Sequence, residues 1–229
     1  MPIGKMLNAA ERVRYGSTVP GYKDAKRAAL YDVVGFAAAA AILGDANFFT
    51  VGVGGAGVFN GAAVAKTLLQ TNNKVQGALP VGHELQAWDI RVQADLNLFS
   101  SITTPTILNN AMIAVRNYLM GSFMVIKIDG KDQLEISPIA LLSAGYGPSA
   151  SGWGGINLVA AGDTGGGGLY LGNGSPNRSA LWNLNPLPIV IRSGLPFSVT
   201  ITTPILVTLP ANTALNVWVH LDGILHRFA

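Results

Sequence analysis

Between Leu85 and Leu98, Trp88, Ile90, Val92, Ala94, Leu96 and Leu98 alternate with Asp89, Arg91, Gln93, Asp95 and Asn97. A period of two sustained over that length predicts a strand with one buried and one solvated face. The same pattern returns in SFMVIKIDGKDQLEIS, where Asp129-Gly130 divides two alternating runs and predicts a hairpin. It recurs in PIVIRS, in PFSVTITTP with Phe197, Val199 and Ile201 on one face, and in ALNVWVHLDGILHRF with Leu215, Val217, Val219 and Leu221. The spacing switches to a helical one after Thr104-Pro105, a cap followed by proline at the first position. Leu108, Ala111, Met112, Val115 and Leu119 then predict a helix over about 105–120.

The first 46 residues read differently. Ile3, Met6, Leu7, Ala10 and Val13 fall on one side of a helix that ends at Gly16 and the Ser17 to Gly21 break. A second helix is expected from near Tyr22 through the alanine run to Gly44, because alanine has the highest helix propensity. The twelve uncharged residues VVGFAAAAAILG fall short of the roughly 20 needed to span a bilayer, so a buried helix is expected there. Between Ala144 and Ser175 lie twelve glycines, interrupted by INLVA and LYL. A projecting hairpin or pair of short strands around Gly165 to Gly168 is the expected form, since long structureless loops are uncommon in compact domains.

These elements predict an all-β domain, residues 47–229, behind an N-terminal helical arm of residues 1–46. Strands are expected near 48–53, 85–98, 122–129, 132–137, 188–193, 196–203 and 214–227, with the glycine-flanked pair between, and with one inserted helix. Short strands punctuated by proline and glycine point to a sandwich or barrel.

Composition changes the picture in one respect. Only 12% of the 229 residues are charged and mean hydropathy is +0.37, against a usual charged share near 25%. Such a surface suits subunits that bury each other's faces without desolvating many ions. Charge is also uneven: Lys5, Arg12, Arg14, Lys23, Lys26 and Arg27 stand against Glu11 and Asp24, so residues 1–31 carry net +4 and the remainder −1. These six basic residues are the candidate contacts for nucleic acid or an anionic lipid surface, acting through charge rather than a shaped site. A solvated helical face is the equally weighted alternative. With no cysteine, neither a disulfide framework nor a thiolate metal site is available. The amino-terminal sequence lacks the charged-then-apolar order of a secretory signal, so export by that route is not expected.

Candidate chemistry is weak. Gly52-Val-Gly-Gly-Ala-Gly57 matches G-x-G-x-x-G after FFTV, with a potentially helical VFNGAAVAKTLLQ behind it. The chain lacks repeated strand-helix-strand units, and Glu84 and Asp89 lie too far downstream for the ribose-binding acid, so a glycine turn is the better reading. His83, His220 and His226 have no ligand spacing that makes a metal site, and Gly147 to Gly152 does not fit a nucleophile elbow. Asp129, Asp132 and Glu135 surround the hairpin turn and solvate it. The triplets at Asn173 and Asn177 match the glycosylation pattern but lack an export signal. No catalytic residue, cofactor or metal is expected.

Three stretches carry a resemblance: FFTVGVG opening the body, LPVGHELQAWDIRV leading into the long strand, and the ending GLPFSVTITTPILVTLPANTALNVWVHLDGILHRF. In order and local character the chain resembles jelly-roll major capsid proteins of icosahedral phages, including those that enclose a membrane. The resemblance spreads over about 180 residues without a diagnostic motif. It implies a single eight-stranded jelly roll, a double one needing a longer chain. It implies a non-enzymatic virion protein, assembled in the host cytoplasm, that packs with its own copies and other capsid proteins. The basic arm would face the viral genome or an internal membrane, or tie neighbouring subunits together. A carbohydrate-binding sandwich or phage fibre module is the alternative, with Trp88, Trp153, Trp182 and Trp218 as the aromatics it would need. A dinucleotide-binding enzyme ranks third, and an outer-membrane barrel below it.

Overall fold

Two antiparallel sheets, each burying one face of its alternating strands, account for most of the computed structural model, which describes residues 22–98, 105–141, 149–152, 169–172, 182–184, 186–211 and 213–228. In chain order the strands are β1 (Tyr22–Phe36), β2 (Ala41–Phe48), β3 (Ala56–Phe59), β4 (Ala62–Ala65) and β5 (His83–Leu98). Helix α1 (Pro105–Gly121) follows, then the hairpin β6 (Phe123–Ile128) and β7 (Lys131–Ile136), with a short 3₁₀ turn at Pro138–Leu141. The remaining strands are β8 (Ser149–Gly152), β9 (Leu169–Gly172), β10 (Trp182–Asn183), β11 (Ile189–Arg192), β12 (Phe197–Thr208) and β13 (Thr213–Phe228).

The first sheet runs β1-β13-β5, and both β10 and β11 pair with the far edge of β5; the second runs β2-β12-β6-β7. Among the long strands, first pairs with last and second with second-to-last, β5 pairs with β11, and β6 and β7 form the central hairpin. The inward residues of both sheets form one core. Leu215, Val217, Val219 and Leu221 of β13 meet Val199 and Ile201 of β12, Met124 and Ile126 of β6, and Val115 and Leu119 of α1.

Several expectations hold residue by residue. Helix α1 occupies 105–121. Asp129 and Gly130 both have positive φ (51° and 74°), as a two-residue turn between twisted strands requires. The glycine-rich region contains the antiparallel pair β8 and β9, and residues 153–168 between them lie outside the described residues.

The expected helix from Tyr22 to Gly44 is not formed. Residues 22–36 are β1, paired along their length with β13, and β2 begins at Ala41. Helix propensity is a weak prior, and here the ladder to β13 outweighs it. Leu30, Val34 and Phe36 alternate onto the core, and the alanines that suggested helix form the connecting turn, with Ala39 at φ 58° donating its N–H to the Pro210 carbonyl. The boundary expected at residue 46 falls inside β2, so residues 22–46 belong to the β body; residues 1–21 lie outside the described residues. The strand expected at 48–53 is also corrected. Phe49 turns to φ 64°, and the glycine motif leads into a β3-β4 hairpin with Asn60 and Gly61 at its tip rather than into a helix.

In β5, Trp88 is the extra residue of a β-bulge: Asp222 pairs with Asp89 and Gly223 with Ala87. The bulge switches parity, so Leu85 and Ala87 are buried on one side of it and Ile90, Val92 and Ala94 on the other. A β-carbon at Gly223 would lie 1.9 Å from the Gln86 carbonyl oxygen, so only glycine fits opposite the bulge.

Candidate functional site

The six basic residues do not form one helical face. Lys5, Arg12 and Arg14 lie outside the described residues, while Lys23, Lys26 and Arg27 lie on β1, an edge strand of the first sheet. Lys26 and Arg27 are exposed and face Leu225 and Ile224 across the ladder. Lysine and arginine on an edge strand also discourage unwanted strand pairing, which gives these residues a role that needs no ligand.

Further along β1 the edge is covered. The Tyr31 N–H donates to Asn72 Oδ1 at 2.9 Å, Asn72 Nδ2 donates to the Ala29 carbonyl at 2.5 Å, and Thr71 Oγ1 donates to the Tyr31 carbonyl at 3.2 Å. Asp32 points inward from this edge. Its Oδ1 meets Lys66 Nζ at 2.7 Å and its Oδ2 accepts the Phe49 N–H at 2.6 Å. Burial raises the Asp32 pKa from the usual carboxylate value, outweighing the opposing pull of Lys66, the Phe49 amide and Thr71.

The β3-β4 hairpin folds over the outer face of the first sheet. Asn216 Nδ2 donates to Asn60 Oδ1 at 2.6 Å and Asn216 Oδ1 accepts the Asn60 N–H at 3.0 Å. Phe59 packs edge-on to Trp218, which also neighbours Tyr31 and His220. Beside them Arg91 Nε donates to Asp222 Oδ2 at 2.8 Å, and an Arg91 Nη2 lies 3.4 Å from His220 Nδ1. Burial, helped by the Arg91 cation and opposed by Asp222, pushes His220 down to about 4. Trp218 is thus hemmed by neighbouring rings rather than displayed. Trp153 lies outside the described residues.

At the opposite end of β1, Glu84, Gln86 and His226 are buried, and Arg192 reaches Glu84 Oε2 at 3.2 Å. Burial lowers the His226 pKa, and Glu84 opposes the shift. His83 sits apart at the start of β5, its Nδ1 3.1 Å from the Val81 carbonyl.

One surface has no counterpart in the sequence reading. Pro204, Ile205 and Leu206 are thrown outward where the β12 register against β2 slips between Thr203 and Val207. Ile205 and Leu206 are 68% and 57% exposed, and Ile113 and Met120 of α1 are 47% and 55% exposed. Together they line an open trough of about 590 Å³ with Asn110, Asn117 and Thr208, and none of its lining residues is ionisable. Proline, which lacks an N–H, begins the bulge. The sequence signal for it is Ile205, an apolar residue in the buried parity of β12 directly after Pro204.

Among the described residues no group of three or more His, Asp or Glu is placed to hold a metal ion, and no helix is long and apolar enough to cross a membrane. The glycine motif at 52–57 has no helix N-terminus behind it to receive a pyrophosphate. Comparison with known proteins finds no family model, no curated protein and no solved structure that matches this chain.

Proposed function

We propose that this chain is a structural subunit, a single eight-stranded jelly roll whose copies assemble into the closed shell of an icosahedral virus. Support for the fold comes from the pairing order. First strand with last, second with second-to-last, β5 with β11 and β6 with β7 describe one long hairpin rolled into two sheets, the winding of a jelly roll. Fold alone does not assign function, since lectins and cupins share it.

The observation that carries the functional reading is the uncharged trough between α1 and β12, with four large apolar side chains exposed on a chain of only 12% charged residues. Large apolar side chains exposed together, with no charged group among them, favour a contact site, and a closed shell is one of the ways in which copies of a single chain satisfy each other's surfaces. The reading assigns no catalytic residue. Its partners are further copies, other shell proteins, and the genome or an internal membrane through the basic residues near the amino terminus. Light scattering and electron microscopy of the purified protein test it. Large closed particles are expected, and a stable monomer at high concentration would overturn it.

A further inference from the structure

We infer that the trough between α1 and β12 receives residues 3–13 of a neighbouring copy, so that the amino-terminal segment acts as a clasp between subunits. The inference rests on the assembly reading above and names the surface and the occupant.

Chemistry matches first. The trough offers Ile113, Met120, Ile205 and Leu206 with no ionisable lining residue. Ile3, Met6, Leu7, Ala10 and Val13 recur at helical spacing, while Lys5, Glu11, Arg12 and Arg14 fall between or beyond them. An amphipathic helix laid in an apolar groove is a common recognition mode, read through anchors at such spacing. The two are also alike in length. Ile113 to Met120 covers about 10 Å of helix, and Ile3 to Val13 about 15 Å.

Reach then selects the neighbour. The trough lies at the Phe36 end of β1, where the Phe36 ring packs 5.6 Å from Tyr118 of α1, whereas the amino-terminal segment joins the body at Tyr22, the other end of the same strand. The 14 steps of β1 span about 46 Å. A fully taut link from Tyr22 back to Val13 covers about 30 Å, and a helix over 3–13 adds about 15 Å. That sum only about equals the length of β1 and leaves nothing for the crossing from the first sheet to the second, roughly 10 Å away. A copy packed alongside presents its trough without that constraint.

Because the chain has no cysteine, single-cysteine variants give a clean test. Full-length Met6→Cys carrying a mass tag is co-assembled with untagged Leu206→Cys, or with Gln133→Cys on exposed β7 as the reference, and oxidised. Tagged-to-untagged dimers at Leu206→Cys should exceed those at Gln133→Cys about tenfold or more, since docking raises the local concentration of the two thiols. Ile113→Cys, on the other wall, should behave like Leu206→Cys. Particles that form with no such excess overturn the clasp and leave the shell reading standing. Protection of residues 3–13 only on adding anionic vesicles or nucleic acid overturns it in favour of those partners. Failure of the unmodified chain to form particles overturns the shell reading, and the clasp with it.

Discussion

Asp32 and Lys66 form an ion pair of 2.7 Å with side chains 0% and 5% exposed, closing the side of the sandwich between β1 and β2. Asp32 belongs to one sheet, the Phe49 amide it also binds follows the first strand of the other, and Lys66 follows the β3-β4 hairpin. One carboxylate therefore links three segments that the ladders alone leave separate.

Removing a single partner leaves an uncompensated buried charge. Lys66→Met should destabilise the fold by about 3–5 kcal/mol, whereas the double variant with Asp32→Asn should recover most of the loss. Denaturant midpoints of the two single variants and the double variant measure both quantities. Since burial raises the Asp32 pKa, the folded state holds this proton more tightly than the unfolded state. The group's contribution is most favourable below the unfolded value near 4 and is lost as pH rises through the folded value. Asp32→Asn should lack that fall.

His220 shifts the other way. With its folded pKa pushed down to about 4, the unfolded chain binds the proton better between about 4 and the ordinary value near 6.5. Stability from this group is full above that window and is lost as pH falls through it. Ring resonances of His220 should stay neutral down to about pH 4 in an NMR titration, and His220→Gln should flatten the acid side of the stability profile.

Gly223 is the most constrained glycine of the long strands. Gly223→Ala places a methyl group 1.9 Å from the backbone oxygen of Gln86, so β5 and β13 must part locally at a cost above about 4 kcal/mol. Gly121→Ala, where nothing lies within 4 Å, should leave stability within about 0.5 kcal/mol. Thermal melts of the two variants give the contrast.

At the β6-β7 turn, Gly130→Ala should cost about 1 kcal/mol, because alanine is strained at φ 74°. Asp129→Gly should be tolerated, since its φ of 51° suits glycine at least as well. Melting temperatures of the two proteins check the order.

Most of the β body is legible in the amino-acid sequence alone. Strands β5, β6, β7, β12 and β13 and helix α1 carry their signals locally, in alternation, a turn dipeptide, or a threonine-proline start. The amino-terminal strands β1 to β4 were not legible, and β1 is a strand through its ladder to β13, almost two hundred residues away in sequence. Its alanines spoke only to local propensity. Of the candidate contact residues, the sequence marked the charge of Lys23, Lys26 and Arg27 but not their place on an edge strand. It gave no sign of the pairing of Asp32 with Lys66, and it passed over the trough, because Ile205 and Leu206 look like core until the β12 register slips.

By itself the sequence determined that this is a mainly β chain with few ions, a helix over about 105–120 and a hairpin at Asp129-Gly130, since those properties follow from side-chain periodicity and composition. Only the tertiary structure decided which strand lies beside which, that the alanine-rich segment is extended, and that Asp32 and Lys66 meet in the interior. Those outcomes depend on pairings between distant segments, whose free energy appears only when both partners are present.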